Sequence, residues 1–173
     1  MDLIKIVDQN GNFTGITFTK EDAYSRNLVR NEVVIFILND KNQVLLQKRS
    51  SNKKYHPNKW ALCTGHVEKI ETEDEAAIRE IKEEIGIKVA KENLHKCFEE
   101  EWTLRDNNTH ITFFYYTKIN KKENEFIIQE DELSEVKWYD INDVIDMIIN
   151  KNDNIVFTEK RLDLFQQLKN LHL

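Results

Sequence analysis

Three carboxylates and an arginine lie together in the stretch Arg79-Glu80-Ile81-Lys82-Glu83-Glu84-Ile85-Gly86. At about 100° per helical residue, Glu80, Glu83 and Glu84 fall in one narrow sector. Like charges three or four positions apart repel, and anions near a helix C-terminus oppose the macrodipole. Each effect costs a few tenths of a kcal/mol up to roughly one. A cation outside the helix is the natural compensation; a solvated acidic face is the plain alternative. Glu75 lies four residues before Arg79 and Glu83 four after it, a spacing that allows an ion-pair ladder. Gly65 lets the backbone turn closely and present a carbonyl. The chain has four glycines, and two of them, Gly65 and Gly86, bracket this element.

A hard divalent ion suits this set best. Mg²⁺ takes oxygen ligands and commonly completes its shell with substrate phosphates. Glu80 and Glu84, one turn apart, can share it, while Glu83 holds a second ion or a ligated water. Zinc suits less well without a Cys/His cluster at ligand spacing, and a di-iron bundle less still without a Glu-x-x-His motif.

The acidic run needs a helix to order it, and residues 71–85 read as that helix. Thr72 and Glu75 form a capping-box pattern, Glu73 and Asp74 support the first turn, and Gly86 suits a left-handed cap. Ile78, Ile81 and Ile85 make an apolar stripe, with the three glutamates pointing roughly away from it. Before the helix, Leu3, Ile4, Ile6 and Val7 lead into Asn10-Gly11 and a second strand over 13–18, a hairpin pattern. Thr19 is placed to cap a short helix. Strands follow over 32–38 and 44–48 around Asn39-Asp40-Lys41-Asn42, then a basic loop over 49–60 and a short strand over 60–63. Beyond the helix, 94–104 and 111–119 read as strands around a turn at 105–109. A weaker strand falls at 126–129 and another at 136–139, and helices close the chain over 141–149 and 158–171. This order predicts a mixed sheet covered by helices.

A chain of 173 residues with 40% apolar and 32% charged content suits one globular domain. The net charge of −6 gives no broad basic footprint, which argues against duplex nucleic acid but not against a small phosphorylated substrate. Cys63 and Cys97 read as buried thiols of a reducing compartment. The N-terminus shows no leader pattern and no apolar run reaches spanning length, so the expected location is the cytoplasm, away from membranes. A homodimer is left open.

From Gly65 the chain runs GHVEKIETEDEAAIREIKEEIGI, which resembles a complete Nudix box. Gly65, Glu71, Arg79, Glu80, Ile81, Glu83, Glu84, Gly86 and Ile87 fill its nine fixed positions over 23 residues (65–87). The resemblance implies a Nudix α/β/α sandwich with a mixed central sheet, in one domain spanning 1–173 with its hairpin and short helix over 1–30. It implies hydrolysis of the pyrophosphate linkage of a nucleoside diphosphate derivative or similar diphosphate. Mg²⁺ would be the cofactor, with Mn²⁺ able to substitute. By the same resemblance, Glu80, Glu83 and Glu84 are metal ligands, joined by the Gly65 carbonyl. Arg79 belongs to the catalytic set, and with Glu71 supports the loop and the glutamates. Ile70 departs from the glycine many members carry before the first glutamate.

The flanks resemble the branch related to isopentenyl-diphosphate isomerase, through the hairpin, VLLQKRS, the basic loop and TGHVE. Isomerase chemistry fits less well. Thr64 stands where isomerases carry a catalytic Cys, and Cys63 is one residue early, on the opposite face of a strand. Tyr24 and Arg30-Asn31 stand near the isomerases' upstream metal-binding His residues, and their acidic strand is replaced around 108–110. A non-catalytic binding module is the third reading, though such modules commonly have an eroded box.

Gln47 and Arg49 share one strand face and are candidate substrate contacts, Arg49 through bidentate phosphate binding. Lys48, Lys53 and Lys54 belong to the same basic stretch, where a solvated edge is the simpler reading. His66 reads as structural or substrate-facing. Glu132 is a candidate extra carboxylate, set against a solvated acidic turn. Trp60, Trp102 and Trp138 could stack on a base, though core packing is their commoner use.

Overall fold

The computed structural model describes residues 3–98, 100–103 and 109–170. In chain order the strands are β1 (Leu3–Val7), β2 (Phe13–Thr19), β3 (Arg30–Leu38), β4 (Gln43–Arg49), β5 (Trp60–Ala61), β6 (Cys63–His66), β7 (His95–Lys96), β8 (Glu101–Thr103), β9 (His110–Lys118) and β10 (Leu133–Asp140). The helices are α1 (Lys20–Ser25), α2 (Glu73–Ile85), α3 (Ile141–Ile149) and α4 (Leu162–Asn170). The fold is mixed α/β on a central mixed sheet, the class the resemblance implied. No helix among the described residues is long and apolar enough to cross a membrane. The chain forms two compact units: Met1–Ile35, Thr64–Glu80 and Ala90–Tyr116 in one, Phe36–Cys63, Ile81–Val89 and Thr117–Leu173 in the other.

In the first unit, β1 and β2 pair antiparallel, Ile4 opposite Phe18 and Val7 opposite Phe13, with an irregularity between Lys5 and Val7. Asp8 Oδ1 accepts from the backbone of Asn10 and Asn12, and Gly11 takes φ +81°, so the Asn-Gly signal marks a real turn. Thr19 caps α1 by accepting from Asp22 N at 3.1 Å. Ala23 of α1 packs with Ile4 and Ile6 in a buried cluster flanked by Phe18 and Leu28.

The strand expected over 94–104 is two short pieces, β7 and β8, both antiparallel to β9. Lys96 faces Tyr115 and Glu101 faces Thr112, so five steps along one strand answer three along the other and the ladder must break between them. Residues 99 and 104 of the expected strand, 105–108 of the expected turn and 171 of the expected last helix lie outside the described residues.

In the second unit, β10 runs antiparallel along β4 from Leu133↔Arg49 to Asp140↔Gln43, and β5 pairs β4 through Gln47↔Ala61 and Lys48↔Trp60. Val44 to Gln47 are all buried, as befits a strand covered on both faces. Asp140 caps α3 through Asn142 N at 2.8 Å, and Ile141, Val144 and Ile148 bury its apolar side. A 3₁₀ turn, Glu159–Arg161, takes the place of the expected first turn of the last helix. Phe165 of α4 meets Phe36 edge to face at 5.6 Å.

The residues expected as a strand at 126–129 do a different task. Ile127 N donates to Ile85 O at 3.2 Å and Gln129 N to Glu84 O at 3.1 Å, so this segment satisfies carbonyls that the end of α2 would otherwise leave orphaned. Gly86 makes this approach possible. It lies at φ +73°, and a Cβ there would stand 2.8 Å from Ile127 Cβ and 3.1 Å from Ile127 O. Gly86→Ala should therefore lower the unfolding free energy by about 1–2 kcal/mol from backbone handedness alone, with the contact adding to it. Urea denaturation reads this directly, and an unchanged midpoint would show that α2 does not end on this contact.

Candidate functional site

Arg79 is the hub of the first unit. Its Nη2 and Nε donate to the two carboxylate oxygens of Glu71 at 2.8 and 3.0 Å, a bidentate pair. Nη1 donates to Glu80 Oε1 at 2.8 Å, and Nη2 also donates to His66 O at 3.0 Å. Glu68 stands 3.7 Å from Nη1. Burial works against the guanidinium's charge, but Glu71 and Glu80 outweigh it and hold the pKa above its ordinary value.

Glu71 is not in the helix, contrary to the expected start at 71. The capping box sets the start at Glu73, because Thr72 N donates to Glu75 Oε2 at 2.8 Å and Glu75 N to Thr72 Oγ1 at 3.4 Å. Glu75 therefore spends its carboxylate on the cap, so the first rung of the expected ladder gives way. Glu71 anchors the preceding loop by accepting from Glu68 N at 2.8 Å. Its carbonyl accepts from Lys5 Nζ. The same loop is laced to β1 and β3 by Lys5 N→Val67 O at 3.1 Å, Lys69 N→Leu3 O at 2.9 Å and Val67 N→Asn31 O at 3.0 Å.

Gly65 lies against Glu80: a Cβ there would fall 1.8 Å from Glu80 Oε1 and 2.0 Å from its carboxyl carbon. Only a glycine leaves this space. Along α2 the glutamates differ in environment. Glu83 is exposed, Glu80 half-buried, and Glu84 only 9% exposed. The expectation that all three point away from the apolar stripe is thus corrected for Glu84. Three positions from Ile81, it lies about 60° from it around the helix, inside the buried sector with Ala77. Ile78, expected in that stripe, is only half-buried. Among the described residues, no three His, Cys, Asp or Glu side chains converge as a metal cage; Glu80 is drawn to Arg79.

His66 is embedded in aromatic and cationic surroundings. Its Nε2 accepts from Arg30 Nε at 3.3 Å and lies 3.4 Å from Tyr24 Oη. Arg30 is fully buried, with its guanidinium 3.8 Å from the Tyr24 ring centroid, and donates to the carbonyls of Leu28 and Thr109 at 3.2 Å. Desolvation, then the charges of Lys20 and Arg30, push the imidazole well below its usual pKa, so it stays neutral. Asn31 Nδ2 donates to Glu73 Oε1 at 2.9 Å, tying β3 to the first turn of α2.

In the second unit, Gln47 is buried at 1% exposure, and its Nε2 has no hydrogen-bond partner among the described residues. Arg49, two positions along β4, uses Nε on Tyr55 O at 3.1 Å. Glu132 pairs with Lys53 at 2.5 Å while its carbonyl accepts from Ser50 N at 2.8 Å, so it pins the basic loop. Trp138 donates its indole N–H to Lys121 O at 2.9 Å, a structural use. Cys63 is buried; Cys97 is half-buried, with its thiol pushed up to about 12 by burial, and neither forms a disulfide. A cavity of about 470 Å³ opens beside Trp60, Tyr139 and Lys48, with no box residue in its lining. Sequence reasoning missed it because its walls come from separated segments; Trp60 and Lys48 were the signals that pointed there.

Comparison with known proteins gives the family. The NUDIX domain model matches residues 28–159. A Nudix hydrolase of Listeria innocua is 30% identical over 132 residues, 76% of this chain and 69% of that protein. An isopentenyl-diphosphate Delta-isomerase of Photorhabdus laumondii is 26% identical over 153 residues, 88% of this chain and 85% of the isomerase. The solved structure of DR0079 from Deinococcus radiodurans superposes with a TM-score of 0.74, covering 96% of this chain and 99% of that one at 17% identity, a likeness of fold. With the model matched across most of its length and every fixed position of the box filled, the chain belongs to the Nudix family of hydrolases.

Proposed function

We propose that this Nudix hydrolase is Mg²⁺-dependent and cleaves the pyrophosphate linkage of a nucleoside diphosphate derivative or a similar small diphosphate. The observation that carries this reading is the intact carboxylate helix, with Arg79 clamped between Glu71 and Glu80 and Gly65 leaving room for the Glu80 carboxylate. Hard carboxylate donors and a cradle that a Cβ would fill are the right materials for an oxygen-seeking divalent ion. Glu80, Glu83 and Glu84, with the Gly65 carbonyl, would hold that ion, which when bound supplies Lewis-acid charge to the diphosphate and makes water a stronger acid. Arg79 acts as a positioning residue, aiming Glu80 and fixing the loop through Glu71 and the His66 carbonyl. Gln47 and Arg49, on one face of β4, are the side chains assigned to the diphosphate in this reading; the amide nitrogen of Gln47, buried and without a partner among the described residues, has a donor to offer. Glu132, bound to Lys53, orders the loop rather than acting as a base.

The likeness to an isomerase keeps a second reading in view. Four features speak against it here. Thr64 replaces the cysteine, Cys63 is fully buried, His66 Nε2 is engaged by Arg30, and the Arg30 guanidinium brings positive charge to that end of the molecule. Product analysis with Mg²⁺ and with EDTA separates the readings across nucleoside di- and triphosphates, nucleotide sugars, dinucleoside polyphosphates and isopentenyl diphosphate. The hydrolase reading expects Mg²⁺-dependent phosphoanhydride cleavage, and isomerised isopentenyl diphosphate without hydrolysis would overturn it.

Two substitutions test the residues. Glu84→Gln should lower kcat by orders of magnitude while thermal stability in EDTA holds or rises, because the change removes charge from a buried, self-repelling site. Wild-type turnover in this variant, at limiting Mg²⁺, would rule Glu84 out as a ligand. Gly65→Ala pushes the Glu80 carboxylate aside at the far end of a flexible side chain, so the fold should persist. Turnover should fall on the order of a hundredfold, the scale of an approximately 1 Å misplacement. Steady-state kinetics beside a denaturation curve decides this, and an unfolded variant would show that the glycine serves packing instead.

A further inference from the structure

We propose that the cavity beside β4 and β10 in the second unit is a separate binding site for a nucleoside monophosphate. Its volume of about 470 Å³ lies within the range of small-ligand pockets. Two aromatic rings line it, Trp60 and Tyr139, edge to face at 5.3 Å and 70°. Trp60 is fixed by its backbone: its N donates to Asn154 O at 2.8 Å and its O accepts from Val156 N at 3.0 Å. The Tyr139 ring is only half-buried, with Lys137 Nζ over it at 5.2 Å from the centroid, so a base that stacks there displaces this flexible side chain.

Three asparagines share the lining with the rings. Asn58 is held at φ +61° with its N donating to Arg49 O at 3.1 Å. Asn152 Oδ1 is taken by Asn154 N at 2.9 Å, which leaves the Asn152 amide NH₂ to donate. Amides that both donate and accept match the edge of a nucleobase, whereas a hydrocarbon would leave them unsatisfied. The one charged group in the lining is Lys48. Its Nζ lies 3.8 Å from Glu135 Oε2, too long for a hydrogen bond, and both side chains are substantially exposed. A phosphate can displace this weak pairing. A single cation, with the exposed Glu135 carboxylate 3.8 Å from it, suits one phosphate rather than a chain of them.

The site is distinct from the diphosphate-binding face proposed above. Successive residues of a strand point to opposite faces, so Lys48 faces away from Gln47 and Arg49. A ligand there can be bound without metal, which makes the inference independent of the hydrolytic reading.

Tryptophan fluorescence of the full chain in EDTA, titrated with AMP, adenosine and ribose 5-phosphate, tests it. AMP should quench saturably and bind more tightly than either fragment. Asn154→Ala, at an exposed position whose backbone contacts to Trp60 and Asn152 are kept, and Tyr139→Leu should each weaken AMP by about tenfold. Lys48→Gln should reduce AMP to the affinity of adenosine, and Arg49→Ala should leave the AMP affinity unchanged. Ribose 5-phosphate binding as well as AMP would overturn the base contact. AMP binding lost in Arg49→Ala and kept in Asn154→Ala would put the ligand on the other face and overturn the proposal, as would no saturable binding into the millimolar range.

Discussion

Arg79 is the constraint on which the first unit's loop and the start of its helix depend. One guanidinium joins the loop before α2, through Glu71 and the His66 carbonyl, to a carboxylate of the helix itself, Glu80. Removing it would leave Glu71 and Glu80 as half-buried anions with no opposing charge from this side chain, which is far costlier than losing an exposed pair. Lysine could not substitute, since a point charge cannot meet both oxygens of Glu71 while reaching Glu80 and a carbonyl. The box's fixed arginine is thus explained by geometry: five donors in a plane, shared among the pieces that must hold still.

The same network separates what the sequence could reveal from what it could not. The helix, its Thr72–Glu75 box and its glycine stop are local, within reach of one turn, and are legible from spacing alone. Glu71 belongs to the loop because the capping box claims Glu75 and starts the helix at Glu73, a competition between two readings of the same residues. The burial of Glu84 was hidden for a different reason. Its angle around the helix leaves it at the margin of the apolar stripe, and only packing decides on which side of that margin a residue lies. The break between β7 and β8 and the pairing of Glu132 with Lys53 are long-range facts, set by register and loop closure.

Arg30 decides the state of His66. Stacked on Tyr24 and donating to His66 Nε2, it uses the imidazole lone pair that a metal would need. The neutral His66 is held as an acceptor, and its low pKa follows from desolvation and the neighbouring cations. The histidine beside the first glycine of the box is thus committed to an internal hydrogen bond.

The C-terminal half of α2 concentrates features that a stability-driven sequence would avoid. Carboxylates crowd the negative end of the helix dipole, Lys82 is the one basic residue of its last turn, and one glutamate is buried. The backbone supplies part of the remedy: the N–H groups of Ile127 and Gln129 dock on the carbonyls of Ile85 and Glu84 and bring partial positive charge to that end. This contact needs Gly86, since any side chain there would meet Ile127. Gly86 and Gly65 therefore act at opposite ends of one problem. Gly86 lets a neighbouring segment quiet the helix terminus, and Gly65 leaves space for a carboxylate that the helix alone would repel. Local rules of helix design are broken only where the carboxylates stand, and the residues that offset the strain are the ones that make the acidic face usable.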